Sequence, residues 1–152
     1  MTNFPEYLGY TQLPVSNIGG LANSSNDRLT DGIIVHYRAF GSTDDGPFDL
    51  ETQYNKGRTL THEMGHFFGL RHIWGDATCG SDLVSDTPTH NTANFGCPTY
   101  PHLSTCTGRP VEMTMNYMDY TDDACMFMFS SGQKNRSLAI FAAGGPRASF
   151  GD

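Results

Sequence analysis

The stretch that decides the reading is His62-Glu63-Met64-Gly65-His66-Phe67-Phe68-Gly69-Leu70-Arg71-His72. Its first two histidines stand four residues apart. On an α-helix that spacing leaves them about 40° apart around the axis and roughly 6 Å along it, so both imidazoles reach one metal ion from one face. Glu63 follows the first histidine directly and so lies beside the metal rather than on it, the place for a base acting on water. Gly69 adopts positive φ without penalty and can end the helix. His72 can then return as a third ligand. Three nitrogens leave one tetrahedral position open, the arrangement of a catalytic rather than a structural zinc. A plain amphipathic helix with solvated histidines has no structural need for Gly69 followed by His72.

Outward from this stretch, the spacing of Leu60, Met64, Phe67 and Phe68 predicts a helix from about residue 54 to 70 with an apolar core face. Thr59 and Thr61 are poor helix formers that packing must override. Upstream, residues 33–40 (Ile33-Ile34-Val35-His36-Tyr37-Arg38-Ala39-Phe40) predict the best strand, buried on both faces at its β-branched start. His36 reads as a packed strand residue rather than a ligand. Residues 8–13 alternate loosely and stop at Pro14, which predicts a short edge strand. Residues 16–31 and 41–46 read as loops. Downstream, residues 79–125 read as mostly irregular. Within them, Asp82-Leu83-Val84-Ser85-Asp86-Thr87-Pro88 offers carboxylates, a hydroxyl and carbonyls in seven residues, hard oxygen donors that suit Ca²⁺ without the spacing of an EF-hand. Asp82, Val84 and Thr87 are the candidate ligands. His90 and His102 read as surface histidines. Ser130-Ser131-Gly132-Gln133 predicts a capping box opening a helix to about residue 142, with Leu138, Ile140 and Phe141 as apolar contacts. Gly144-Gly145-Pro146 ends it, and the last residues read as a tail.

The length of 152 residues allows one domain with a real core. Hydrophobic residues make up 38%, and 17 glycines with 8 prolines point to a loop-rich fold. A net charge of −7 argues against a nucleic-acid partner. No apolar run reaches the ~20 residues of a membrane span. The start, Met1-Thr2-Asn3-Phe4-Pro5, lacks the basic and apolar regions of a signal peptide. Cys79, Cys97, Cys106 and Cys125 are even in number and form no C-x-x-C pair, so two disulfides and an oxidising, extracellular compartment are expected. Four cysteines allow three pairings. The chain is then expected to be a mature piece of a longer precursor.

The long histidine motif, together with Asn116-Tyr117-Met118-Asp119-Tyr120-Thr121-Asp122-Asp123, resembles the metzincin clan of zinc endopeptidases. The wording of the second stretch and the four cysteines resemble the pappalysin family, over residues from about 8 to about 138. The resemblance implies an α+β, zincin-like catalytic domain spanning 1–152 and a zinc-dependent endopeptidase acting on proteins or peptides. It implies His62, His66 and His72 as zinc ligands, Glu63 as general base and Met118 as an apolar floor beneath the histidines. Tyr120 is expected to bond the tetrahedral intermediate or rest against the zinc. Cys79–Cys106 and Cys97–Cys125 are the implied disulfides, and calcium is implied in the segment after the zinc motif. The strand at Leu8, Gly9 and Tyr10 would border the cleft and pair with extended substrate. Asp122 and Asp123 would face the primed-side pocket and favour a basic side chain, with Ala124 standing where a further acid would strengthen that preference. The chain begins near the edge strand, so a truncated upper sheet is expected, with another segment or chain covering it. The competing reading is an inactive, metal-stabilised binding module derived from such a peptidase.

Overall fold

The structure, a computed structural model, describes residues 7–22, 27 and 29–150. The stretch Met1-Thr2-Asn3-Phe4-Pro5, discussed above as a possible signal, lies outside them. Two short antiparallel strands, β1 (Gly9–Thr11) and β2 (Ile33–Val35), pair in the register Gly9↔Val35, Tyr10↔Ile34, Thr11↔Ile33. Helix α1 (Arg58–Phe67) packs on both strands. A long irregular segment follows, and α2 (Ser131–Phe141) closes the fold. This is the mixed, loop-rich α+β architecture expected, with a two-stranded sheet among the described residues.

The upper layer departs from expectation in its details. β2 stops at Val35; His36 N still donates to Leu8 O at 2.8 Å, but its Nδ1 accepts from Arg38 N at 3.3 Å and caps a 3₁₀ turn over Tyr37–Ala39. Val35 is buried, but Ile33 and Ile34 are only half-buried, so the predicted burial on both faces does not hold among these residues.

α1 starts at Arg58, four residues later than predicted. Its N-cap Gly57 offers no side chain, and Asp123 Oδ2 substitutes from across the fold, accepting from Lys56 N at 2.8 Å and Arg58 N at 3.1 Å. A carboxylate there also meets the positive end of the helix dipole. The expected apolar face is half-buried at Leu60, Met64, Phe67 and Phe68. The stripe that sinks fully is Thr59, His62, Glu63, Gly65 and His66. Gly65 lets this happen, since a Cβ there would overlap Met118 Sδ. At the other end Gly69 takes φ 81°, with Leu70 N donating to Gly65 O at 2.9 Å and Gly69 N to His66 O at 2.8 Å. That is a Schellman stop, and it turns the chain toward His72.

The core lies beneath this turn: Leu70, Ile73, Trp74 and Met118 are buried, with Ala93, Met113 and Phe129 packed against them. The capping box of α2 is present as predicted, Ser130 Oγ accepting from Gln133 N at 3.0 Å and Gln133 Oε1 from Ser130 N at 2.8 Å. Gln133 also exchanges hydrogen bonds with the buried Asn116, at 2.7 and 3.0 Å, which ties α2 to the turn around Met118 (residues 116–120), the methionine turn. Ile140 is buried and Phe141 meets Phe68 edge-on at 5.1 Å, but Leu138 points to solvent. Both disulfides have the expected pairing, Cys79–Cys106 and Cys97–Cys125. They staple the irregular segment, each closed loop contributing roughly 3 kcal/mol through the unfolded chain.

Two expectations are corrected. Among the described residues, those from Arg147 to Phe150 are not a loose tail. Arg147 is buried, its guanidinium pairs with both oxygens of Asp31 at 2.6 and 2.8 Å, and it donates to Phe67 O at 3.0 Å while lying 3.6 Å over the Phe67 ring. His90 is not a surface histidine. It is fully buried beside Glu112 and Asp119, whereas His102 is partly exposed. Isolated histidines in a polar loop gave no pattern from which this burial could be read.

Candidate active site

α1 delivers His62 and His66, and the Gly69 turn brings back His72. One ring nitrogen of each lies within 4.8 Å of the others. The opposite nitrogens are all engaged: His62 Nδ1 with Tyr117 O at 2.7 Å, His66 Nδ1 with Leu70 O at 2.9 Å, and His72 Nδ1 with Asp76 Oδ1 at 2.5 Å. These acceptors hold the proton on Nδ1 in each ring and leave three Nε2 lone pairs converging. His66 Nε2 and His72 Nε2 stand only 3.1 Å apart. Two lone pairs at that distance repel unless a cation lies between them. Tetrahedral zinc, with Zn–N of about 2.0–2.1 Å, places neighbouring nitrogens about 3.3 Å apart. The donor set therefore fits zinc.

Electrostatics point the same way. Burial, reinforced by His66 and His72, holds the His62 pKa well below the usual imidazole range. Burial and His72 lower His66 to about 4. Burial lowers His72 too, against the pull of Asp76. All three rings are thus neutral near pH 7, the form that binds a metal.

Glu63 is 6% exposed and its Oε2 has no hydrogen-bond partner. Burial pushes its pKa up to about 7; the Thr11 hydroxyl, which completes no full hydrogen bond, pulls slightly the other way. Gly9 of β1 passes so close that a Cβ there would stand 2.5 Å from Glu63 Oε1. Met118 lies fully buried under α1, touching the helix at Gly65. The Tyr120 hydroxyl reaches His72 Nε2 at 3.0 Å, its ring 4.7 Å from the Trp74 ring. Burial first, then the charges of Glu63, Asp76 and Tyr54, push its pKa up to about 12.

A cavity of about 370 Å³ opens beside these groups; Leu8, Gly9, Glu63, Tyr120, Asp123 and Phe95 contribute to its walls. Tyr10 points outward on the exposed side of β1. Asp122 is not among the residues lining this cavity, and the Asp123 carboxylate is committed to the start of α1 through Oδ2. The candidate calcium residues do come together. Asp82 Oδ1 accepts from Val84 N at 3.1 Å, the single proton of the Thr87 hydroxyl has Asp82 Oδ1 at 2.8 Å and Val84 O at 2.9 Å within reach, and Asp82 Oδ2 is buried without a partner.

Two contributors escaped sequence reasoning. Asp76 orients His72, and its position four residues on was the available signal. Trp74 stacks flat on His72 at 4.3 Å, a contact that an isolated tryptophan does not announce.

The profile of the M43 peptidases, described as Pregnancy-associated plasma protein-A, matches residues 17–142. An extracellular metalloprotease of Neurospora crassa is 40% identical over 136 residues, covering 88% of this chain and 44% of that protein. Its counterpart from Sordaria macrospora is 38% identical over the same shares. Mature mirolysin of Tannerella forsythia in complex with a cleaved peptide superposes with a TM-score of 0.76 at 39% identity, over 95% of this chain and 51% of that one. Mirolysin in complex with compound 9 gives 0.76 at 41% identity, over 93% and 51%. The chain spans about half the length of these relatives. With this match over most of its length, the chain belongs to the M43, or pappalysin, family of metzincin peptidases.

Proposed function

We propose that this chain forms the catalytic part of a secreted zinc endopeptidase. The observation that carries the reading is the convergence of three Nε2 atoms, each ring fixed by a hydrogen bond at Nδ1, next to a buried carboxyl whose Oε2 has no partner. A bound zinc ion supplies Lewis acidity, acidifying water and polarising a peptide carbonyl. Glu63 would take a proton from water held at the site and pass it to the leaving amine. A pKa raised to about 7 suits a group that must accept and then donate. Tyr120 stays protonated and donates a hydrogen bond to the oxygen that gains negative charge. Met118 gives the ligand helix a soft apolar floor.

β1 borders the cleft with one edge paired to β2, so its other edge can receive extended substrate by strand addition, with Leu8 and Gly9 at the cavity and Tyr10 outside. A preference for a basic side chain would rest on the remaining Oδ1 of Asp123, since Oδ2 caps α1 and Asp122 is not among the cavity's lining residues. A peptide library cleaved without Arg or Lys enrichment removes it. Calcium at Asp82, Val84 and Thr87 is supported by the unpartnered Asp82 Oδ2, whose carboxyl pKa burial raises. Calcium that leaves the melting temperature unchanged would remove that site. Secretion is supported by the two disulfides and by relatives named extracellular. Among the described residues the far edge of β2 has no strand beside it, and a further segment or another chain is the proposed cover.

The test is digestion of casein by the purified protein with and without chelator, alongside Glu63→Ala. Chelator-sensitive cleavage that vanishes in the variant is expected. Zinc-loaded protein that cleaves nothing would leave the binding module as the reading.

A further inference from the structure

Beneath the methionine turn lies a buried polar network that the reaction above does not use. Asp119 and Glu112 are both essentially inaccessible to solvent, and no lysine or arginine pairs with either among the described residues. Asp119 Oδ1 accepts from Tyr120 N and from Asn94 N, each at 2.9 Å. The Asn94 side-chain amide donates to Asp119 Oδ2 at 3.0 Å and to Glu112 Oε2 at 2.7 Å. Glu112 Oε1 accepts from Asn91 N at 2.6 Å. His90 Nε2 accepts from Met113 N at 3.0 Å, which places its proton on Nδ1. That Nδ1 faces Asp119 Oδ2 at 3.5 Å and Glu112 Oε2 at 3.8 Å.

Two desolvated carboxylates are a heavy burden for a fold; each ion loses several kcal/mol of hydration. What they gain is charge-assisted hydrogen bonds, which are shorter and stiffer than neutral ones. Those bonds converge on two short backbone stretches. One is residues 91–96, which carry Phe95 into the cleft wall with its ring 5.9 Å from the Tyr120 ring. The other is the start of the Tyr120 residue itself, whose amide is held by Asp119.

We propose that Asp119 is a positioning residue for Tyr120, held in place by Asn94, His90 and Glu112. The proposal rests on the catalytic reading of Tyr120 given above. The Tyr120 ring must reach His72 from a half-exposed position, and the network supplies the rigidity that its own exposure denies it. A misplacement of about 1 Å at a reacting group can lower a rate about 100-fold. The network therefore acts on turnover chiefly through Tyr120; because the Asp119 backbone also bonds the His62 ring and its charge also reaches His72, zinc content must be read beside kcat.

The test is a double-mutant cycle on zinc-loaded protein, with kcat, KM and zinc content measured for Asp119→Asn, Tyr120→Phe and the pair. Asp119→Asn preserves volume but turns an acceptor into a donor facing Asn94 and His90. We expect kcat to fall at least tenfold with one zinc per chain retained, and the same change in the Tyr120→Phe background to lower kcat by less than twofold. Equal factors in the two backgrounds overturn the positioning role alone. Undiminished kcat in Tyr120→Phe overturns the catalytic reading of Tyr120 and the positioning role with it. Should Asp119→Asn fail to fold, Asn94→Ala, at a half-buried site, replaces it in the cycle. A crystal structure of metal-free Asn94→Ala, compared with the metal-free parent, gives a readout that needs no activity. The Tyr120 hydroxyl is expected to leave His72 Nε2 by more than about 1 Å, and retention of the contact overturns the proposal.

Discussion

Replacing Glu63 by glutamine in the metal-free protein should make the fold less sensitive to alkaline pH. The carboxyl is raised from 4.5 to about 7 in the folded chain, chiefly by burial. An acid whose folded pKa lies above its unfolded one keeps its proton longer in the native state, so stability falls as pH rises between those values. The penalty is absent below pH 4.5, grows through the interval and is complete above about 7. At about 1.4 kcal/mol per pH unit, it amounts to about 3 kcal/mol. Glutamine carries no charge and escapes it. Burying the amide has its own cost, about 1–3 kcal/mol, but that cost does not change with pH. The difference in stability between variant and parent should therefore move by about 3 kcal/mol in the variant's favour between pH 4.5 and 8. The histidines titrate in both proteins and cancel to first order. Urea unfolding of chelator-treated, disulfide-intact protein across that range measures the quantity. Two pH curves that stay parallel within about 0.5 kcal/mol would show that Glu63 is not held in a desolvated, unpartnered state.

Tyr120→Phe should keep zinc and lower kcat about 10- to 100-fold, because it removes one donor to the developing oxyanion; steady-state kinetics with metal analysis check this. Asp76→Asn loosens the carboxylate hold on His72 Nδ1 and should weaken zinc affinity about 10- to 100-fold, read by competition with a chromogenic chelator. Arg147→Ala should destabilise the fold by about 2–4 kcal/mol in urea titration, below the full value for a buried pair because Asp31 is a third exposed and can rehydrate. Arg147 holds the Asp31 carboxyl below its usual pKa, so this pair's contribution is complete above about pH 4 and fades as pH falls through the lowered value.

The site was legible because its chemistry is local. Histidines at helical spacing and a glycine stop are consequences of one turn geometry, and His62, His66 and His72 meet as that geometry requires. The capping box at Ser130 and Gln133 was legible for the same reason. What escaped were features made by distant partners. α1 begins at Arg58 because Asp123, 65 residues away, caps it. Its polar stripe sinks because Gly65 admits Met118, which inverts the apolar face that Leu60, Met64, Phe67 and Phe68 suggested. His90 and Arg147 lie buried against residues far away in the chain, and no periodicity records such pairings. Past His36 the chain turns into a 3₁₀ segment because the His36 side chain offers the Arg38 N–H a local acceptor in place of the ladder.

The central claim is that three imidazoles share one cation. X-ray absorption at the zinc edge, on protein loaded with one equivalent, measures it directly. The account predicts three nitrogen neighbours at about 2.0–2.1 Å plus one oxygen ligand from water, and loss of the bound metal in His66→Ala. A zinc environment of sulfur or all-oxygen ligands, or full occupancy in that variant, would contradict it.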